Sequence, residues 1–197
     1  MDSEKGRKRG TLSSVKVLKI CQQINENLHQ REKFIVLLRL IEFVNEDGII
    51  TETELDFVST VAESFNITEY DFSKIKSLIT NNLEDIKDKD KLLIIDKNEP
   101  TGSWEGEWFD KNKPGHIKDF KHITNENLDG RILVLNITSH DLYFFAYFGK
   151  SILYLQGHNV IPATGYILDH GSIIKGPKIS PLYYSDIVAK FLASPTR

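Results

Sequence analysis

The residues whose types and spacing come nearest to doing chemistry are the oxygen donors of Asn45-Glu46-Asp47-Gly48-Ile49-Ile50-Thr51-Glu52-Thr53-Glu54. A hard cation such as Ca²⁺ takes about six to eight oxygens, and a short segment can supply them only by bending sharply, which is the use of one glycine inside an acidic run. Asn45, Asp47 and Glu54 are therefore the candidate ligands of a weak Ca²⁺ or Mg²⁺ site. The same residues have a competing structural use. Gly48 can turn the chain with a positive φ, Ile49 or Ile50 can enter the core, and Glu54 can take the amide of Thr51 in a capping box.

Against the loop of an EF-hand, with Gly48 as its glycine, Asn45, Asp47 and Glu54 fall on ligand positions, but Phe43 stands where the first carboxylate is needed. Gly149-Lys150-Ser151 looks like the end of a phosphate-binding loop. That motif needs a glycine where Phe144 stands and a helix after the serine, whereas Ile152-Leu153-Tyr154-Leu155 reads as strand. His116, His122, His140, His158 and His170 fall among expected loops and turns without ligand spacing and read as solvated surface residues. Asp141 beside His140, with serines elsewhere, has the composition of a hydrolytic triad but no nucleophile elbow.

The elements that must position these residues change character along the chain. Leu12, Val15, Leu18, Cys21, Ile24 and Leu28 recur at helical spacing, predicting a first helix over about 12–27. A second helix over about 30–44 carries enough apolar positions to lie centrally. A third starts at Thr51, where Glu54 completes a capping box, and a fourth starts at Thr68. Beyond Thr80, the alternating charges of 84–91 offer no apolar face.

From Leu92 the residues are β-formers, predicting strands over 92–95, 131–136, 142–148, 152–156, 166–168, 172–175 and 182–188, with a short helix near Phe191. Gly149-Lys150 and Asp169-His170-Gly171 are expected as hairpin turns. The polar stretch 97–130 holds Trp104, Trp108 and Phe109, which either pack onto the helices or form an exposed aromatic patch for a partner.

The expected fold class is α+β, an amino-terminal bundle of about four helices followed by a small, mainly antiparallel β domain. The expected parts are a flexible basic tail (1–10), a helical domain (11–80), a charged linker (81–91) and a β-rich domain (92–197). Among the 197 residues, 40% are hydrophobic and 27% charged, which places the chain in the globular class. The formal net charge of −3 argues against a dedicated nucleic-acid binder, and the one basic cluster, Lys5, Arg7, Lys8 and Arg9, reads as tail, with an RNA-binding arm as its alternative. Cys21 is the only cysteine, which rules out an intramolecular disulfide and favours a reducing compartment. No apolar run reaches the roughly 20 residues of a membrane span.

Asp47-Gly48-Ile49-Ile50 with Glu52, Glu54 and Leu55, and then Ala62-Glu63-Ser64-Phe65-Asn66-Ile67-Thr68, resembles the TerB-like (tellurite-resistance-type) helical family over about 15–79. That resemblance implies an all-helical module with acidic residues implicated in metal binding, commonly fused to other domains. The stretch from Gly171 to Ile187 is similar to a segment ahead of the ATPase domain in certain bacterial ABC-transporter proteins. It implies a regulatory or docking role beside an adjoining ATPase domain or protein partner, in the cytoplasm or at the inner membrane through a parent transporter. The expected function is a non-catalytic regulatory or interaction module. The alternatives are a weak divalent-cation sensor using Asn45–Glu54 and an unrecognised hydrolase.

Overall fold

A computed structural model describes residues 2–97 and 120–193, with side chains from residue 14 onward. The architecture is α+β, helices first and then a mainly antiparallel β region. It divides into two compact units, Met1–Ser73 and Lys74–Arg197. The division falls inside the fourth helix, whereas the change of sequence rhythm comes after Thr80.

In the first unit, α1 (Asp2–Asn27), α2 (Gln30–Val44) and α3 (Glu52–Ser64) precede α4 (Glu69–Ile79), which continues into the second unit. The basic residues expected in a flexible tail lie in α1 from Asp2 on. Phe34, Leu37, Leu38 and Ile41 of α2 are buried, as the width of its apolar face requires, and each is worth about 1.5–3 kcal/mol on burial. The end of α3 has its orphan carbonyls satisfied from other helices. Asn25 Nδ2 donates to Ser64 O at 2.7 Å, and Gln30 Nε2 donates to Phe65 O at 2.8 Å.

The two units share one way of stopping a helix. Asn66 has φ 56°, and Ile67 N–H returns to Ala62 O at 2.9 Å. Asn81 has φ 55°, and Asn82 N–H returns to Ser77 O at 3.0 Å. Both are left-handed helix ends of the Schellman type, with asparagine in the place usually held by glycine.

In the second unit, a five-stranded sheet has the order β2-β1-β3-β4-β7, and a four-stranded sheet has the order β6-β5-β8-β9. The first contains β1 (Leu92–Asp96), β2 (Lys121–Thr124), β3 (Arg131–Ile137), β4 (Leu142–Phe148) and β7 (Gly165–Leu168). The second contains β5 (Tyr154–Leu155), β6 (His158–Asn159), β8 (Ile173–Lys175) and β9 (Leu182–Tyr183). One core joins them. Leu93, Ile95, Val134, Phe145 and Tyr147 of the first sheet meet Leu153, Ile174 and Leu182 of the second side, with Ile187 of helix α5 (Tyr184–Leu192).

Several expectations need correction. The stretch 182–188 is strand only at Leu182–Tyr183, because Tyr184, Ile187, Val188 and Phe191 have helical spacing and form α5. Gly149-Lys150 and Asp169-His170-Gly171 are not hairpin turns: β4 pairs with β7 and β5 with β8, so both turns carry the chain from one sheet to the other. The hairpin turns are 138–141, between β3 and β4, and Gln156-Gly157, between β5 and β6. The polar stretch contains β2, which runs parallel to β1. A parallel pair cannot be closed by a tight turn, which explains why a long segment separates the two strands.

Arg131 ties the end of α4 to the sheet. Its Nη2 donates to Asn81 Oδ1 at 2.6 Å, and it faces Asp96 across the β1–β3 ladder. Burial lowers the Arg131 pKa and the Asp96 charge opposes that shift; the guanidinium's very high intrinsic pKa keeps it charged. The two asparagine helix ends then predict different responses. Asn66→Gly keeps its backbone and should change unfolding free energy by less than about 0.5 kcal/mol. Asn81→Gly also removes a bond to a charged donor and should cost about 1.5–3 kcal/mol by urea titration; equal effects would show that the Arg131 bond contributes nothing.

Candidate functional site

Three loops of the second unit converge at one end of its sheets: 125–130 between β2 and β3, 149–153 between β4 and β5, and 176–181 between β8 and β9. The first is hydrogen-bonded to the other two, and the third approaches the second closely. Asn125, buried in the first loop, donates from Nδ2 to Ser180 O at 2.9 Å and accepts Ser180 N–H at 3.3 Å, joining the first loop to the third. Tyr147 donates its hydroxyl to Asp129 O at 2.6 Å and accepts Ser151 N–H, joining the first to the second. Ser151 Oγ accepts Asp129 N–H at 2.9 Å, so the same two residues are linked twice.

Glycine permits this closeness. A Cβ on Gly130 would lie 2.0 Å from Phe148 O, and one on Gly149 would lie 2.1 Å from Asp129 O. At Gly176 it would lie 2.6 Å from Ile152 O, which is how the third loop seats on the second. Backbone atoms cannot yield as flexible side chains do, so the loops hold this spacing only without those side chains.

Between the loops lies an open cavity of about 320 Å³ lined by Asn127, Asp129, Lys150, Ser151, Lys178 and Ile179, among others. Two lysines and one aspartate are among the lining residues. Because the Ser151 hydroxyl already accepts from Asp129 N–H, its own proton is directed to donate elsewhere. The Tyr147 hydroxyl is held neutral: burial is the largest influence and raises its pKa, against hydrogen bonds with Ser151 that lower it. Chemically, the lining can bind an anion through two cations, a hydroxyl and an amide, with rigid backbone behind them.

The residues singled out from sequence are placed as follows. Asp47 Oδ1 accepts Ile49 N–H at 3.0 Å, and Glu54 Oε2 accepts Thr51 N–H at 2.9 Å and the Thr51 hydroxyl at 2.7 Å. Asn45 caps the end of α2, with its N–H on Ile41 O at 3.0 Å, and Gly48 turns with φ 78°. These bonds are local turns and caps. Ile49 is exposed and Ile50 is half-buried, so the turn places neither in the core. Among the described residues no group of three or more His, Cys, Asp or Glu is arranged to hold a metal. Trp104, Trp108, Phe109 and His116 lie outside the described residues.

His122 corrects the expectation of a solvated histidine. Its Nε2 lies 2.9 Å from Asp96 Oδ1, with the two side chains 6% and 2% exposed. It belongs to β2, and the spacing of one histidine could not reveal that strand. His140 Nδ1 lies 2.8 Å from Ser139 Oγ in the exposed β3–β4 turn, a contact between chain neighbours. The loop triangle itself was missed because its signal is backbone carbonyls and glycines far apart in sequence.

Compared with known proteins, the chain matches no family model, no curated protein and no solved structure.

The tyrosine at the centre of the triangle gives a pH prediction. Tyr143, Tyr147 and Tyr184 all have pKa values raised chiefly by burial. The unfolded chain therefore loses these protons first, and stability is full below about pH 10 and falls as pH rises through the folded values. Tyr147→Phe should lower the melting temperature at neutral pH and make the alkaline decline shallower than in the unsubstituted protein, read by thermal scans between about pH 7 and 11. A parallel decline in both proteins would mean that Tyr147 is not held protonated by the fold.

Proposed function

We propose that this chain is a non-catalytic regulatory or interaction module, standing as the amino-terminal region of an ABC-type transporter ATPase protein, and that its β unit engages a protein partner through an anionic group seated in the loop-end cavity. The observation that carries this reading is the triple fastening of the loops around Lys150, Ser151 and Lys178. Loops are ordinarily the most mobile parts of a domain, and fixing three of them behind a cationic cavity lowers the ordering cost of binding. The similarity of the stretch from Gly171 to Ile187 to a segment ahead of transporter ATPase domains supports the parentage. In this chain the same stretch supplies β8, β9, the first turn of α5 and the third loop of the cavity.

Inorganic phosphate is a suitable probe of the cavity. Titrated into the full chain, it should shift the backbone amide resonances of Ser151 and Lys178 while leaving those of α2 in place. The double substitution Lys150→Ala, Lys178→Ala should weaken that binding by about tenfold or more, since each lost charge-assisted contact is worth about 1 kcal/mol. Shifts that persist unchanged in the double variant, or their absence at the highest soluble phosphate concentration, would defeat the reading.

A further inference from the structure

Helix α1 outruns the bundle it belongs to. Its fixed points are Cys21, which is buried, and Asn25, which donates to Ser64 O at 2.7 Å. Val15, Leu18 and Cys21 follow one another at three-residue spacing on one helix row, so the stripe that enters the bundle at Cys21 continues outward past its end. There Val15 and Leu18 are each 50% exposed, while Ile20, 56% exposed, lies on another side of the helix. Lys16 and Lys19 are exposed on the same turns.

The sequence of the same helix is basic toward its start. Between Asp2 and Lys19 the chain carries Lys5, Arg7, Lys8, Arg9, Lys16 and Lys19 against only Asp2 and Glu4, in a protein whose formal net charge is −3. An occupant of this helix must accept cations and aliphatic side chains together. An anionic phospholipid surface does both, taking the ammonium and guanidinium groups at its phosphates and the aliphatics at the boundary below them. Lysines suit that boundary because their stems lie along apolar surface while the charge stays in water.

Two other occupants fit less well. A coiled coil with a second copy would continue at seven-residue spacing from Val15 and Leu18 to Gln22 and Asn25, both polar, and Asn25 is already engaged with Ser64. A nucleic acid would satisfy the basic residues but gives the exposed Val15 and Leu18 nothing to bind. The helix also cannot cross a bilayer: among the described residues no helix is long and apolar enough to do so.

We propose that the amino-terminal part of α1 is a peripheral docking element that lies along an anionic membrane surface. This goes beyond the loop-end reading and uses none of its residues, so either can fail without the other. The test is flotation of the full chain with vesicles of phosphatidylcholine containing about 30% phosphatidylglycerol, compared with phosphatidylcholine alone. The expected result is binding to the anionic vesicles, weakened by added salt and absent on neutral ones. Lys16→Glu with Lys19→Glu should lower the partition coefficient by more than about tenfold, at about a factor of five per charge removed. Val15→Ser with Leu18→Ser should lower it by about tenfold at unchanged net charge. All four positions are exposed, and an unchanged circular dichroism spectrum verifies that each variant folds. The proposal is overturned by equal binding to neutral and anionic vesicles, by no binding to either, by insensitivity to the Val15 and Leu18 substitutions, or by a dimer in solution that those substitutions dissociate. Displacement from vesicles by a short single-stranded RNA that binds more tightly would also overturn it.

Discussion

Two side chains, Asn125 and Tyr147, hold the loop end of the β unit together, and the geometry of the cavity depends on them. Each is buried, and each spends its polar atoms on the backbone of a loop distant in sequence. A buried polar group left without a partner costs about 1–3 kcal/mol, so these bonds specify one loop arrangement as well as stabilising it. Glycines 130, 149 and 176 are the complementary half of the same device, since they remove the side chains that would keep the backbones apart.

The sheet supplies the floor on which this rests. Strands β1 and β3 are buried at every residue, and β4 at all but Leu142, so the three read as continuous apolar runs rather than alternating ones. At the ends of these strands, Asp96 meets His122 and Arg131 meets Asn81. The ends of β3 and β4 at Arg131 and Phe148 are opposite each other in register, which brings Gly130 against the Phe148 carbonyl. Strand register therefore sets where the first two loops touch.

The helical half was legible because its signals are local. Apolar spacing located α2 and α3, and Thr51 with Glu54 formed the capping box that their separation implies. Strands β1, β3 and β4 were legible from β-branched and aromatic runs. What sequence could not disclose was partnership. The assignment of β4 to β7 and of β5 to β8 depends on contacts beyond the turns, so turn residues at 149–150 and 169–171 looked like hairpins and were not. Strand β2 was hidden because only Ile123 in Lys121–Thr124 is aliphatic. The short helix expected near Phe191 is α5, but its start at Tyr184 was concealed by the β-forming residues Leu182, Tyr183 and Tyr184. The pairing of Asn125 with Ser180 spans 55 residues and leaves no periodic trace.

Amide hydrogen exchange tests most directly whether the three loops form one fixed body. If they do, the amides of Asp129, Ser151 and Ser180 should exchange as slowly as those of β3 and β4, because all three open only when the sheet end opens. Exchange of these amides at the rate of exposed turn residues such as His140, with β3 and β4 still protected, would contradict it.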